Sequence, residues 1–125
     1  MQLKKYADTD FFLALMKESD WLKEKAIKIY QENKDNLWIT PFTVVEIIIV
    51  CKREEIPLKH TLFQISRIAK LELVPWNIFF KTSNYIEEGA TIFDSLLMAF
   101  CQDNTIISSD RIYEKFGFDV IDLKE

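Results

Sequence analysis

A chain of 125 residues, 49% of them hydrophobic, is long enough to enclose a core and too apolar to be disordered. Its net charge of −4 excludes a uniformly basic nucleic-acid binder, though not a local basic surface, and an acidic site would pull the total the same way. The apolar runs fall far short of a membrane span, and the opening MQLKKYADTD has no apolar stretch behind its charges, so neither a membrane anchor nor a signal peptide is expected. Cys51 and Cys101 sit in apolar runs with no CxxC pair or nearby His, which predicts buried, reduced thiols and a cytoplasmic protein.

Only two Gly and three Pro punctuate the chain, so long helices with tight connections are expected. LKKYAD (3–8) reads as a strand, its Lys4 and Lys5 at the entrance, followed by a helix from about Asp10. A second helix is predicted from Ser19, as its cap, to Asn33. LWIT (37–40) is a strand, and Thr40 then caps a helix with Pro41 in its first turn, running through FTVVEIIIVCKREE. After Pro57, Leu58, Leu62, Ile65, Ile68 and Ala69 recur at helical spacing. ELVP (72–75) is predicted as a third strand, NIFFKTSNYIEEG as a helix stopped by Gly89, and TIFDSLLMAFCQDN as a further helix. TIISS (105–109), DRIYEKFG (110–117) and FDVIDL (118–123) complete a strand, helix, strand series. Strands alternate with helices throughout, which predicts an α/β fold: a three-layer sandwich around a mostly parallel sheet of about five strands, spanning residues 1–125 as one domain.

Most acidic residues lie on polar faces near Lys or at helix ends and read as solvated surface. Glu46 does not. It is the sole charge in FTVVEIIIVC, with Phe42, Thr43, Ile49 and Val50 one turn away, so no base pairs with it along the helix. Burying an unpaired carboxylate costs roughly several kcal/mol unless a charge or a metal arrives from elsewhere. Asp94 also lacks a basic neighbour, although Thr91-x-x-Asp94 matches a capping box. Asp110 follows one predicted strand and Asp8 ends another, at the edge where ligands of open α/β sheets bind, although a helix cap is the plainer reading of Asp110. Four carboxylates without His or Cys form an oxygen-only donor set, suited to Mg²⁺ or Mn²⁺ and phosphate chemistry.

Asp8-Thr9-Asp10 before FFLAL, Glu46 in PFTVVEIIIV, Asp94 in GATIFDSLLMAF, and Ser108-Ser109-Asp110 before RIYEKFGFDVI together resemble the PIN-domain nucleases, particularly the small VapC-type ribonuclease toxins. The likeness covers essentially the whole chain and rests on order and spacing. It implies metal-dependent hydrolysis of RNA phosphodiesters by in-line attack of water, leaving a 5′-phosphate and a 3′-hydroxyl. Asp8, Glu46, Asp94 and Asp110 would be the catalytic acids around one or two Mg²⁺ or Mn²⁺ ions, supported by Thr9, Asp10 and Ser108. Asp10 stands where Asn is commoner, Ser108 stands for Thr, and the opening strand is unusually charged. The family likeness also implies a homodimer held inactive by a small antitoxin, for which apolar residues of the first helices (Phe12, Trp21, Leu22, Ile29) would offer a surface unless they pack in the core. Among the basic residues Lys52, Arg53, Lys59, Arg67, Lys70, Arg111 and Lys115, the one beside Asp110, Arg111, is the candidate RNA contact.

Other readings fit less of the chain. A haloacid-dehalogenase phosphatase also opens with Asp-x-Asp, but would want Gly-Thr where Phe11-Phe12 stand. An acidic receiver domain does not match the distribution of acids. A non-cleaving module that binds RNA or protein, or a housekeeping RNA-processing nuclease, remains the alternative, and retention of all four acids weighs against the former.

Overall fold

The structure, a computed structural model, describes residues 3–125; Met1 and Gln2, at the head of the segment read for a signal peptide, lie outside them. The described elements are β1 (Lys5–Ala7), α1 (Thr9–Met16), α2 (Lys23–Asn33), a 3-10 turn (Lys34–Asn36), β2 (Leu37–Ile39), α3 (Pro41–Arg53), α4 (Leu58–Ile68), β3 (Lys70–Leu71), α5 (Asn77–Glu87), α6 (Ile92–Cys101), β4 (Thr105–Ser108), α7 (Ile112–Lys115) and β5 (Asp119–Asp122).

The sheet is parallel at every pairing, in the order β3-β2-β1-β4-β5. Strand alternation divides the core in two. Tyr6 and Ile106, with Trp38 and Val120, face a layer containing Met98, Phe100 and Tyr113. Ala7, Leu37, Ile39 and Ile107 face the other layer, with Phe11, Phe12, Ala26, Ile29, Ile47 and Ile65. Helices therefore cover both faces, as parallel sheets require. Phe12, Leu22 and Ile29 are core residues, so of the apolar residues considered for a partner surface in the first helices only Trp21 is exposed. Both cysteines are buried and free, and burial pushes the Cys101 thiol up to about 12.

Local chemistry sets the boundaries. Thr40 caps α3 by accepting from the Thr43 N–H at 3.1 Å, with Pro41 opening the helix. The second helix begins four residues later than the sequence suggests. Asp20 turns the chain first, its carboxylate accepting from the Leu22 N–H at 2.8 Å and its carbonyl from the Lys23 N–H. The third strand is Lys70–Leu71, not Glu72–Pro75. Pairing with β2 ends after the Glu72 N–H reaches the Ile39 carbonyl, and the Glu72 carboxylate then accepts from the Leu73 N–H. Lys4 lies at the entrance of the sheet, 3.0 Å from Glu72 and over the Trp38 ring, which accounts for the charged opening.

Candidate active site

Because β2 lies on one side of β1 and β4 on the other, the strand order reverses beside β1. The carboxyl ends of β1 and β4 open into a crevice at that switch, the usual ligand position in such sheets. Asp8 follows β1 directly, and its backbone N–H bonds the Ile107 carbonyl at 2.9 Å, tying the two strand ends together. The cleft there has a volume of about 620 Å³ and is lined by Asp8, Thr9, Asp10, Leu13, Glu46, Asp94, Ser109, Asp110, Arg111 and Lys124. All four acids singled out from sequence thus reach one cleft, with Asp10 as a fifth.

A hydroxyl orients nearly every one of these carboxylates. Asp8 caps α1, its Oδ1 accepting from the Thr9 N–H at 2.8 Å. Its Oδ2 accepts from the Ser108 hydroxyl at 3.1 Å and the Tyr113 hydroxyl at 2.8 Å. The Ser108 oxygen in turn accepts from the Asp110 N–H at 3.0 Å. The Thr9 hydroxyl donates to Glu46 Oε1 at 3.0 Å, reaching from α1 to α3. Asp8 rather than Asp10 caps α1, and Asp10 Oδ2 accepts instead from the Ser109 N–H at 2.9 Å and from the Ser109 hydroxyl. It ties α1 to the loop after β4. At Asp94 the backbone N–H is capped by Thr91 at 3.3 Å, while the carboxylate accepts from Tyr113 at 3.0 Å. The capping half of the sequence reading therefore coexists with a carboxylate turned to the cleft. Asp110 is exposed, and its Oδ1 accepts from the Ile112 N–H at 3.0 Å, a turn ahead of α7.

Hydrogen bonds do not neutralise these groups. Among the described residues, none of the five carboxylates is in an ion pair. Burial raises Asp8 from its ordinary 3.8 to about 7; the neighbouring Asp10 and Glu46 charges add to this, against the bonds from Tyr113 and Thr9. Glu46 is raised for the same main reason, burial, with Asp94 and Asp10 adding to it and the Thr9 bond opposing. Asp10 Oδ1 is buried without any hydrogen-bond partner. A buried, unpartnered carboxylate oxygen within an oxygen-only donor set is the chemistry that Mg²⁺ or Mn²⁺ satisfies, so these residues fit such an ion in charge and donor type. No group of three or more acidic, His or Cys side chains among the described residues already converges on one point, and the Tyr113 hydroxyl stands between Asp8 and Asp94.

Of the basic residues weighed from sequence, only Arg111 lines the cleft; it is exposed, 3.6 Å from Glu125. Sequence reasoning missed Tyr113, Ser109 and Lys124. A lone Tyr in DRIYEKFG reads as core, and it is core, since its ring is fully buried. Its place one helical turn after Asp110 was the only available signal.

A three-layer fold with acids gathered at its parallel-strand switch defines a class, and the match to the PIN domain over residues 5–119 shows that the chain belongs to that family. Comparison with curated proteins gives no significant match. Among solved structures, the chain is similar to a toxin-antitoxin complex from Klebsiella pneumoniae, at TM-score 0.76 and 14% identity over 96% of this chain and 98% of that one. It is similar to Mycobacterium tuberculosis VapC20, a sarcin-ricin-loop-cleaving toxin, at TM-score 0.76 and 12% identity, covering 92% of this chain and 96% of that one. VapBC-1 from nontypeable Haemophilus influenzae matches at TM-score 0.70 and 12% identity, over 98% and 100% of the two chains. At these identities the likeness is one of fold.

Proposed function

We propose that the chain, as one nuclease domain, is a Mg²⁺- or Mn²⁺-dependent ribonuclease. The observation that carries the proposal is five carboxylates lining one cleft, with none in an ion pair among the described residues. Asp8, Glu46, Asp94 and Asp110 are the residues that would hold the ion. When bound, it supplies Lewis acidity toward a phosphodiester and lowers the pKa of attacking water. The protein's own part is positioning. Ser108 and Thr9 aim Asp8 and Glu46, and Asp10 clamps the loop that carries Asp110 through Ser109. Arg111 and Lys124 line the cleft, where they would offset the phosphate charge and let RNA approach an acidic site.

The toxin-antitoxin character of the structural relatives supports assigning this chain as the toxin of such a pair, acting in the cytoplasm on RNA and checked by a small antitoxin. Exposed apolar side chains on α3, α4 and α5 and the segment before α5 (Val45, Ile49, Phe63, Trp76, Phe80) offer area for that partner and for a second copy. Among the described residues no three carboxylates already converge on one point, and the competing reading is a PIN fold that binds RNA or protein without cutting.

The test is cleavage of single-stranded and structured RNA with the ion titrated in. The expected result is scission that needs Mg²⁺ or Mn²⁺, stops in excess EDTA and is lost in Asp94→Asn with unchanged circular dichroism. Scission surviving EDTA or Asp94→Asn overturns the mechanism; RNA binding without scission at any ion concentration selects the binding module. Pull-down from the native host, with a small co-purifying protein and trapped RNA expected, tests the pairing.

A further inference from the structure

The Tyr113 hydroxyl lies within 2.8 Å of Asp8 Oδ2 and 3.0 Å of Asp94 Oδ1. These acids come from different elements, the end of β1 and the first turn of α6. The Tyr113 contact is the hydrogen bond that holds the Asp94 carboxylate, whereas Asp8 is also held by Thr9 and Ser108. The ring is fully buried in the core layer with Tyr6, Met98 and Ile106, so the hydroxyl has no freedom to swing away. A phenol buried this deeply needs a hydrogen-bond partner, and among the described residues its hydroxyl bonds Asp8 and Asp94 of the cleft.

We propose that Tyr113 is a positioning residue that sets the affinity of the cleft for its divalent ion by holding Asp8 and Asp94 side by side. The inference rests on the metal-nuclease reading of the same cleft. Two carboxylates left to themselves repel each other and turn toward water. One oxygen within hydrogen-bond reach of both keeps them within two hydrogen-bond lengths of each other. A phenol carries a single hydrogen, so it cannot satisfy both acceptors at full strength. The pair is thus held together and under-satisfied, which is the state that gains most from a cation. Tyr113 acts through these acids and need not touch the ion, in the way that outer partners of metal ligands tune affinity.

Tyr113→Phe keeps the ring and removes the hydroxyl. Calorimetric titration with Mn²⁺ should show a Kd about tenfold weaker than wild type. In RNA cleavage, the Mn²⁺ concentration for half-maximal rate should rise by a similar factor, while the rate at saturating ion stays within about threefold. A purely structural role predicts a lower melting temperature with unchanged Mn²⁺ affinity, and that result overturns the proposal, as would tighter binding. If wild type itself binds no Mn²⁺, the metal-nuclease reading fails and this inference with it; if wild type binds and the variant matches it, only the role of Tyr113 is lost. Ser108→Ala, which removes the other hydroxyl on the same Asp8 oxygen but leaves Asp94 held, should weaken Mn²⁺ less than Tyr113→Phe, and the reverse order counts against the bridge.

Discussion

Two carboxylates in this molecule each accept a bond from a buried tyrosine, with opposite consequences. At the entrance of the sheet, Glu72 is bonded by Tyr6 at 2.6 Å and by the Lys4 ammonium at 3.0 Å. Burial there works to raise Glu72, but the bonds from Tyr6 and Lys4 outweigh it and hold the carboxyl below its usual range. At the exit, Asp8 receives Tyr113 and Ser108 but no ammonium, and burial prevails, raising it to about 7. Glu72 is less deeply buried than Asp8 and receives an ammonium besides its hydroxyl, whereas Asp8 receives only hydroxyls and a backbone N–H. One end of the sheet pairs its carboxylate with a cation; at the other, Asp8 is in no ion pair among the described residues.

Breaking the unpaired end should have the largest effect. Asp8→Asn and Glu46→Gln should each lower Mn²⁺-dependent RNA cleavage by on the order of a hundredfold or more, since a lost ligand removes several kcal/mol of transition-state stabilisation. A gel-based rate with saturating ion is the measurement, and a loss under about fivefold for either would remove that residue from the site.

The pH response comes next. Asp8 has its folded value raised above 3.8, so between about 4 and about 7 the folded protein keeps a proton that the unfolded chain has released. Stability of the ion-free protein should therefore fall as pH rises through that window and level off above it, by a few kcal/mol in order of magnitude. Asp8→Asn should flatten that slope and make the ion-free fold more stable at pH 8, as urea midpoints would reveal. Glu72, lowered, has the opposite sign: its contribution is present above its unfolded value and is lost as pH falls through the folded one. Mn²⁺ should offset the loss at the Asp8 end, by roughly 2.7 kcal/mol at a hundred times its Kd.

Smaller effects sharpen the paired end. Tyr6→Phe removes a bond to a charged acceptor and should cost about 1.5–3 kcal/mol of stability, leaving cleavage unchanged. Lys4→Met, at a partly exposed pair, should cost at most about 1 kcal/mol by the same urea measurement. A Lys4→Met loss larger than that of Tyr6→Phe would reverse the balance assigned to the two partners.

The candidate site was legible in the sequence chiefly through Glu46, the acid with no local reason to exist. Glu46 has no base within a turn of it on α3, and it accepts instead from Thr9 of α1. The sheet was legible through strand–helix alternation, and Thr40-Pro41 announced α3 by capping chemistry alone. What escaped notice depended on contacts across the chain. Asp10 carries no mark that its partner is Ser109, 99 positions away. A two-residue edge strand with both residues exposed shows no alternation, so the sequence points to ELVP, two residues past the start of β3. FTVVEIIIVC looks apolar all round, yet Val45, Ile48 and Ile49 face outward, because periodicity cannot tell a buried face from an uncovered one.

The bond from Ser108 to Asp8 joins residues 100 positions apart, and the bond from Tyr113 spans 105. During synthesis, Asp8, Glu46 and Asp94 all emerge before β4 and α7 exist to seat them. A nascent chain therefore carries most of the cleft's carboxylates with β2 but not β4 beside β1, and without the Ser108 and Tyr113 hydroxyls that aim Asp8. Long-range parallel pairing is also the slow part of folding. The order of residues along the chain thus works as a timer: the cleft is completed only once β4 and α7 have been made.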